Sequence, residues 1–190
     1  MFTKSEIKEN LLGCFEIAIF MRRGVGRFRD TKVTAVKSLV IPLVLTPIVV
    51  ILMVMVSQDF ATEVLIPLHV GRIILTMMIT WAIVYLLSKH FNRDQYFWRF
   101  VTISCWVDII GFLLLLPIVI GVMTGYEFSV FESYALFSGI VGYVYAAFIA
   151  THVLKLPWEL GGFVAIVSMG VSENMIDFTV YLRDSFAYSV

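Results

Sequence analysis

The chain has 190 residues, 60% of them hydrophobic and only 15% charged, and its mean hydropathy of +0.93 is far above that of a soluble domain of this size. Fourteen Lys and Arg balance fourteen Asp and Glu, so net charge points to neither nucleic acid nor an acidic partner. Two cysteines, Cys14 and Cys105, are too few for a disulfide framework or a conventional metal site, and the composition is that of an all-α polytopic membrane protein.

Residues 1–35 form a basic leader. Between Ser5 and Arg22 the residues Ile7, Leu11, Cys14, Phe15, Ala18 and Met21 recur at helical spacing, which predicts an amphipathic helix lying along the cytoplasmic membrane surface. Arg22, Arg23, Arg27 and Arg29 follow at once. Beside a bilayer each could gain about 1 kcal/mol from anionic lipid, although enforcing topology is the plainer role of such a cluster. Gly24 and Gly26 suit a tight turn, but a Gly-x-Gly with no strand before it is no nucleotide motif. The leader also lacks the apolar run and cleavage site of a signal peptide.

A five-helix transmembrane domain over 36–190 is expected next, with spans at about 36–56, 68–87, 100–123, 133–153 and 158–181, each near the roughly 20 helical residues that cross a bilayer core. Backbone groups in lipid must bond internally, and the period-two alternation of a barrel is absent, so the spans are helices. Twelve of the fourteen Lys and Arg fall in the leader, at Lys37 just after it, around Lys89, Arg93 and Arg99, or at Lys155, whereas the connections around Asp59 and Glu63 and around Glu127 hold none. That bias places the N-terminus in the cytoplasm and the C-terminus outside. An odd span count argues against a simple inverted-repeat transporter.

Ionisable residues inside spans are costly and direct attention to function. There are four: Arg72, Asp108, Glu173 and Asp177. Arg72 is expected roughly 6 Å below the outer boundary. Asp177 is expected at comparable depth and Glu173 about one turn deeper, the two on one helical face. Opposite charges at matched depth predict an ion pair or triad between the second and fifth spans, with Asn174 adding a hydrogen bond; the alternative is an ion site with one carboxylate uncompensated. Asp108 has no basic residue at its level, and its expected partners are Ser104, Trp106 or a neighbouring helix, in a structural role or as a proton or ligand site.

Ser138, Gly142, Ala146 and Ala150 form a ladder of small residues in the fourth span, predicting close helix packing, and Gly161, Gly162, Ala165, Ser168 and Ser172 do the same in the fifth. Pro42 and Pro47 are expected to kink the first span and Pro117 the third, while Pro67 and Pro157 fall at helix starts. No Gly-x-Ser-x-Gly, Walker, His-Glu-x-x-His or CxxC pattern occurs, so no catalytic residue, cofactor or metal is assigned.

The whole pattern resembles the Yip family of small five-span proteins, especially its bacterial inner-membrane members. The resemblance lies in Leu12-Gly13-Cys14-Phe15-Glu16-Ile17, in Arg27-Phe28-Arg29-Asp30-Thr31, in Lys37-Ser38-Leu39 before Pro42, and in Trp98-Arg99-Phe100 leading to Trp106-Val107-Asp108-Ile109-Ile110 and Leu115-Leu116-Pro117. It implies fold, topology and residence in a bacterial inner membrane. The Asp-Leu-Tyr-Gly-Pro element of the eukaryotic members is absent. The first functional expectation is a non-enzymatic accessory subunit or membrane-organising scaffold, working through lipid, a membrane-protein partner or a second copy of itself, with the basic leader and the small-residue face as its working parts. The second is a small transporter or ion-coupled permease using Asp108, Glu173 and Asp177.

Overall fold

A computed structural model describes the backbone of residues 2–57 and 62–187 and the side chains of residues 2–52 and 66–182. The expected outer connection at Asp59 and the side chains of Glu63 and Arg183 therefore lie outside the described residues. Helix dominates, and no strand occurs among the described residues. Seven α-helices run in order: α1 (Lys4–Ala18), α2 (Lys32–Ser38), α3 (Val40–Ser57), α4 (Thr62–His90), α5 (Phe97–Met123), α6 (Glu132–Val153) and α7 (Trp158–Ala187). Five helices are long and apolar enough to cross a membrane, at 32–52, 66–90, 94–123, 128–153 and 158–182.

The leader is built by local capping. Thr3 and Glu6 form a reciprocal capping box at the start of α1, with the Glu6 amide donating to Thr3 Oγ1 at 3.2 Å and the Thr3 amide donating to Glu6 Oε2 at 2.9 Å. At the other end the Phe20 and Met21 amides fold back on the Ile17 and Glu16 carbonyls. Phe20 takes φ +57° there, a conformation that costs a bulky residue roughly 1–2 kcal/mol. A 3-10 segment, Arg22–Arg27, then turns the chain back along α1. Gly24 permits this close return, because a Cβ on it would lie 2.8 Å from both the Glu16 Cβ and the Gly13 carbonyl oxygen.

Two expectations about proline change. The backbone breaks at Leu39, between α2 and α3, so Pro42 falls in the first turn of α3, where its missing N–H is tolerated. Pro67 lies inside α4 rather than at its start, because that helix begins at Thr62. Pro47 and Pro117 are interior as expected, and Pro157 immediately precedes α7.

Helices α3 to α7 close into a ring, each packing chiefly on two neighbours in the cycle α3, α5, α6, α7, α4 and back to α3. The tightest seam joins α6 to α7. Gly161 there faces Thr151 and the Ala147 carbonyl oxygen, which a Cβ would approach to 2.8 Å. The packed core sits at one end of the ring, where Cys14, Ile17 and Phe28 of the leader meet Val101, Cys105 and Trp106 of α5 and Ile149 and Val153 of α6. Leader and ring thus share one core. Two long-range bonds fix the join: Trp106 Nε1 donates to Ser38 Oγ at 3.1 Å, and the Arg99 amide donates to the Asp30 carboxylate at 3.2 Å, capping a helix that has no side-chain cap of its own. On the outside of the ring large apolar side chains such as Leu86, Leu136, Phe163 and Ile166 are exposed, far more apolar surface than water tolerates.

Candidate functional site

Away from the shared core the ring is hollow, and Asp108 stands at the centre of the hollow. It lines all three of the larger cavities among the described residues. The near cavity, about 220 Å³, lies towards the leader and is walled by Trp81, Phe100, Ser104, Tyr145 and Ile149. A side cavity of about 370 Å³ runs between α5 and α6 past Ser138 and Gly142. The far cavity, about 490 Å³, lies among α3, α4, α5 and α7 and is bounded by Thr46, Arg72, Thr76, Met77, Leu115 and Ser172. The Asp108 side chain is exposed to this space and has no ion pair among the described residues. Trp106, one of its expected partners, bonds Ser38 instead. Ser104, one turn before Asp108, lines the near cavity beside it.

Arg72 shares the far cavity with Asp108. It lines the far cavity only, whereas Asp108 and Met77, five residues on from Arg72 along α4, line the near cavity as well. Three polar atoms around this hollow are buried without a hydrogen-bond partner: Arg72 Nε, Thr76 Oγ1 and Ser138 Oγ. Burying such groups unpaired costs roughly 1–3 kcal/mol each, and more for a charge.

The expected ion pair does not form. Glu173 and Asp177 are exposed on α7 and make no salt bridge with Arg72, and Asn174 turns its amide back to the Gly170 carbonyl oxygen at 2.7 Å. Depth and sign matched, but azimuth did not. The inward face of α7 runs through Gly161, Val164, Ser168 and Ser172, and Glu173 is turned about 100° from Ser172.

The ladder of α6 also differs from expectation. Ala150 is fully buried in the core, but Ala146, Gly142 and Ser138 line the cavities, and a Cβ on Gly142 would meet nothing within 4 Å. The sequence pattern did not single out Thr46, Thr76 or Tyr145, although it named Ser104 as a partner of Asp108. Their signal is periodic: Arg72, Thr76 and Thr80 share one face of α4, and Ser104, Asp108 and Gly111 one face of α5.

The leader covers the near end of the hollow. The Tyr145 hydroxyl donates to the Ala18 carbonyl oxygen at 2.8 Å, and the Phe20 ring stacks on Tyr145 at 5.1 Å. Of the four arginines expected to meet lipid, three pair with glutamates of α1, Arg23 and Arg29 while remaining largely exposed. Arg27 forks onto both oxygens of buried Glu16 at 2.8 Å and reaches Glu9 at 2.7 Å, Arg23 bonds Glu16 at 2.9 Å, and Arg29 bonds Glu6 at 3.3 Å. The hydrogen bonds from Arg27, opposed by desolvation and reinforced by Arg23, pull the Glu16 carboxyl down to about 2. Only Arg22 has no salt bridge among the described residues. No three His, Cys, Asp or Glu side chains converge there as a metal set. Comparisons of the chain with protein-family models, curated proteins and solved structures find no match.

Proposed function

We propose that this protein is a small carrier that takes a polar solute through a membrane by way of the hollow around Asp108. The observation that carries the reading is the meeting of three cavities on one intramembrane carboxylate, with Arg72, Thr76 and Ser138 among the residues that border them. Ionisable groups are held inside spans at a cost, and a site that binds and releases a solute gives that cost a use. The leader, bonded to Tyr145 through Ala18, is the cytoplasmic cover of this path. Of the two features that favour an accessory-subunit role, the small-residue face largely borders the cavities of the monomer, and three of the four arginines are paired with glutamates of α1. No enzymatic role is proposed. On the Yip-like motifs and the distribution of basic residues, we place the chain in a bacterial inner membrane with its N-terminus cytoplasmic.

Liposome swelling tests the reading. Purified full-length protein in liposomes is challenged with cationic, anionic, zwitterionic and neutral small solutes, and solute entry is followed by light scattering. Entry of at least one class above protein-free liposomes, lost in Asp108→Asn, is the expected result. Permeability no greater than that of empty liposomes for every class sinks the proposal.

A further inference from the structure

The far cavity is electrically polar in a way that selects its occupant. Arg72 and Asp108 line the same space yet form no ion pair, and Arg72 keeps a buried Nε without a partner. An arginine stays protonated in protein, so in an apolar wall it calls for an anion, while the carboxylate calls for a cation. The two charges stand on different helices, α4 and α5, with Ile73, Met77, Phe112 and Leu115 among the apolar lining. At about 490 Å³ the cavity falls in the ordinary range for small-molecule sites. A lone cation or a lone anion would leave one protein charge uncompensated, whereas a solute carrying both would satisfy both and add no net charge to the membrane interior.

We infer that the far cavity binds a small zwitterion, Arg72 taking its anionic group and Asp108 its cationic nitrogen, with Thr46, Thr76 and Ser172 as neutral hydrogen-bonding groups. This rests on the carrier reading above and names its solute class. The same pair of charges could arrive on a free zwitterion or on the phosphoethanolamine head of a lipid, and the shared chemistry is an ammonium joined to an anionic oxygen group.

Titration calorimetry on the full-length protein in mild detergent tests this without any variant. The probes are L-leucine, glycine betaine and 5-aminopentanoate, the half-charged analogues isovalerate and isopentylamine, and short-chain phosphatidylethanolamine against phosphatidylglycerol. At least one zwitterion is expected to bind about 30-fold or more tighter than either half-charged analogue, the usual loss when one partner of a desolvated charge pair is missing. Binding of phosphatidylethanolamine alone supports the same charge assignment with the lipid as source. Arg72→Gln should then bring the zwitterion level with the amine, and Asp108→Asn level with the carboxylate. Failure of every zwitterion to bind, or equal binding of a half-charged analogue, overturns the inference. Asp108-dependent swelling with a cation and no zwitterion binding would retain the carrier and remove this site; zwitterion binding without swelling would retain the site and remove the carrier.

Discussion

Glu16 is the residue on which the leader turns, because its buried carboxylate collects both Arg27 and Arg23 and so holds the 3-10 segment against α1. The Arg27 fork is the larger cause of its depressed pKa, at about 2 against an ordinary value of 4.5. A carboxyl that is more acidic folded than unfolded stabilises the fold fully above the unfolded value, and this contribution disappears as pH falls from about 4.5 towards about 2. Glu6 is shifted in the same direction, chiefly by its hydrogen bond to the Thr3 backbone. Acid should therefore open the leader before it opens the ring. Peptic cleavage within residues 20–28 is expected to rise through that pH window in the native protein. Glu16→Gln should be cleaved readily at the upper end of the window already. Equal cleavage of the two proteins throughout would show that the clasp contributes nothing. Phe20 shows a second way in which the leader is held, since its left-handed backbone is kept by the stacking of its ring on Tyr145 and by its edge contact with Phe148.

Among the elements, α6 shows how a run of small residues can serve two purposes that look alike in sequence. Ser138, Gly142, Ala146 and Ala150 share one face, but only Ala150 ends in dense packing; the others border open space. The close approach to α7 is made instead through Ala147 and Thr151 against Gly161. The same substitution should then act differently at the two glycines. Gly161→Ala drives a methyl into Thr151 and the Ala147 carbonyl and is expected to cost about 1–3 kcal/mol. Gly142→Ala meets nothing and should leave stability within about 0.5 kcal/mol of the parent. Thermal unfolding of both variants in one detergent checks this, and a Gly142→Ala loss as large as that at Gly161 would contradict the assignment of the seam. Solute entry into liposomes supplies a further contrast, because a bulkier Gly142→Leu would fill the meeting point of the near and side cavities.

At the scale of the whole molecule, what could be read in advance is what adds up along the chain. Hydropathy summed over about 20 residues placed five spans; the last four described helices differ mainly in running a few residues longer at their ends, and the first is divided at Leu39. Azimuth could not be summed. Whether Arg72 faces Glu173 or Ser172 depends on how α4 and α7 rotate against three other helices, and the difference of one residue turns a proposed ion pair into a cavity with two separated charges. The leader hid its role for a similar reason: Arg23, Arg27 and Arg29 are basic in composition, but their partners Glu6, Glu9 and Glu16 are one helix back, brought near only by the return at Gly24. A division into leader and membrane domain also follows composition, whereas the core does not respect it. Ile17 is 0% exposed and Phe28 1%, both in the same cluster as Val101 and Trp106. The leader should accordingly be a stabilising part of the ring. Ile17→Ala is expected to lower stability by about 2–5 kcal/mol, as a buried aliphatic truncation does, while Ile166→Ala, at a site 71% exposed on the outer face, should change it by no more than about 0.5 kcal/mol. Thermal unfolding followed by tryptophan fluorescence would read both, since Trp106 lies in the shared core. If Ile17→Ala proves as mild as Ile166→Ala, the leader is an appendage and the cover it forms over Tyr145 is dispensable to the fold.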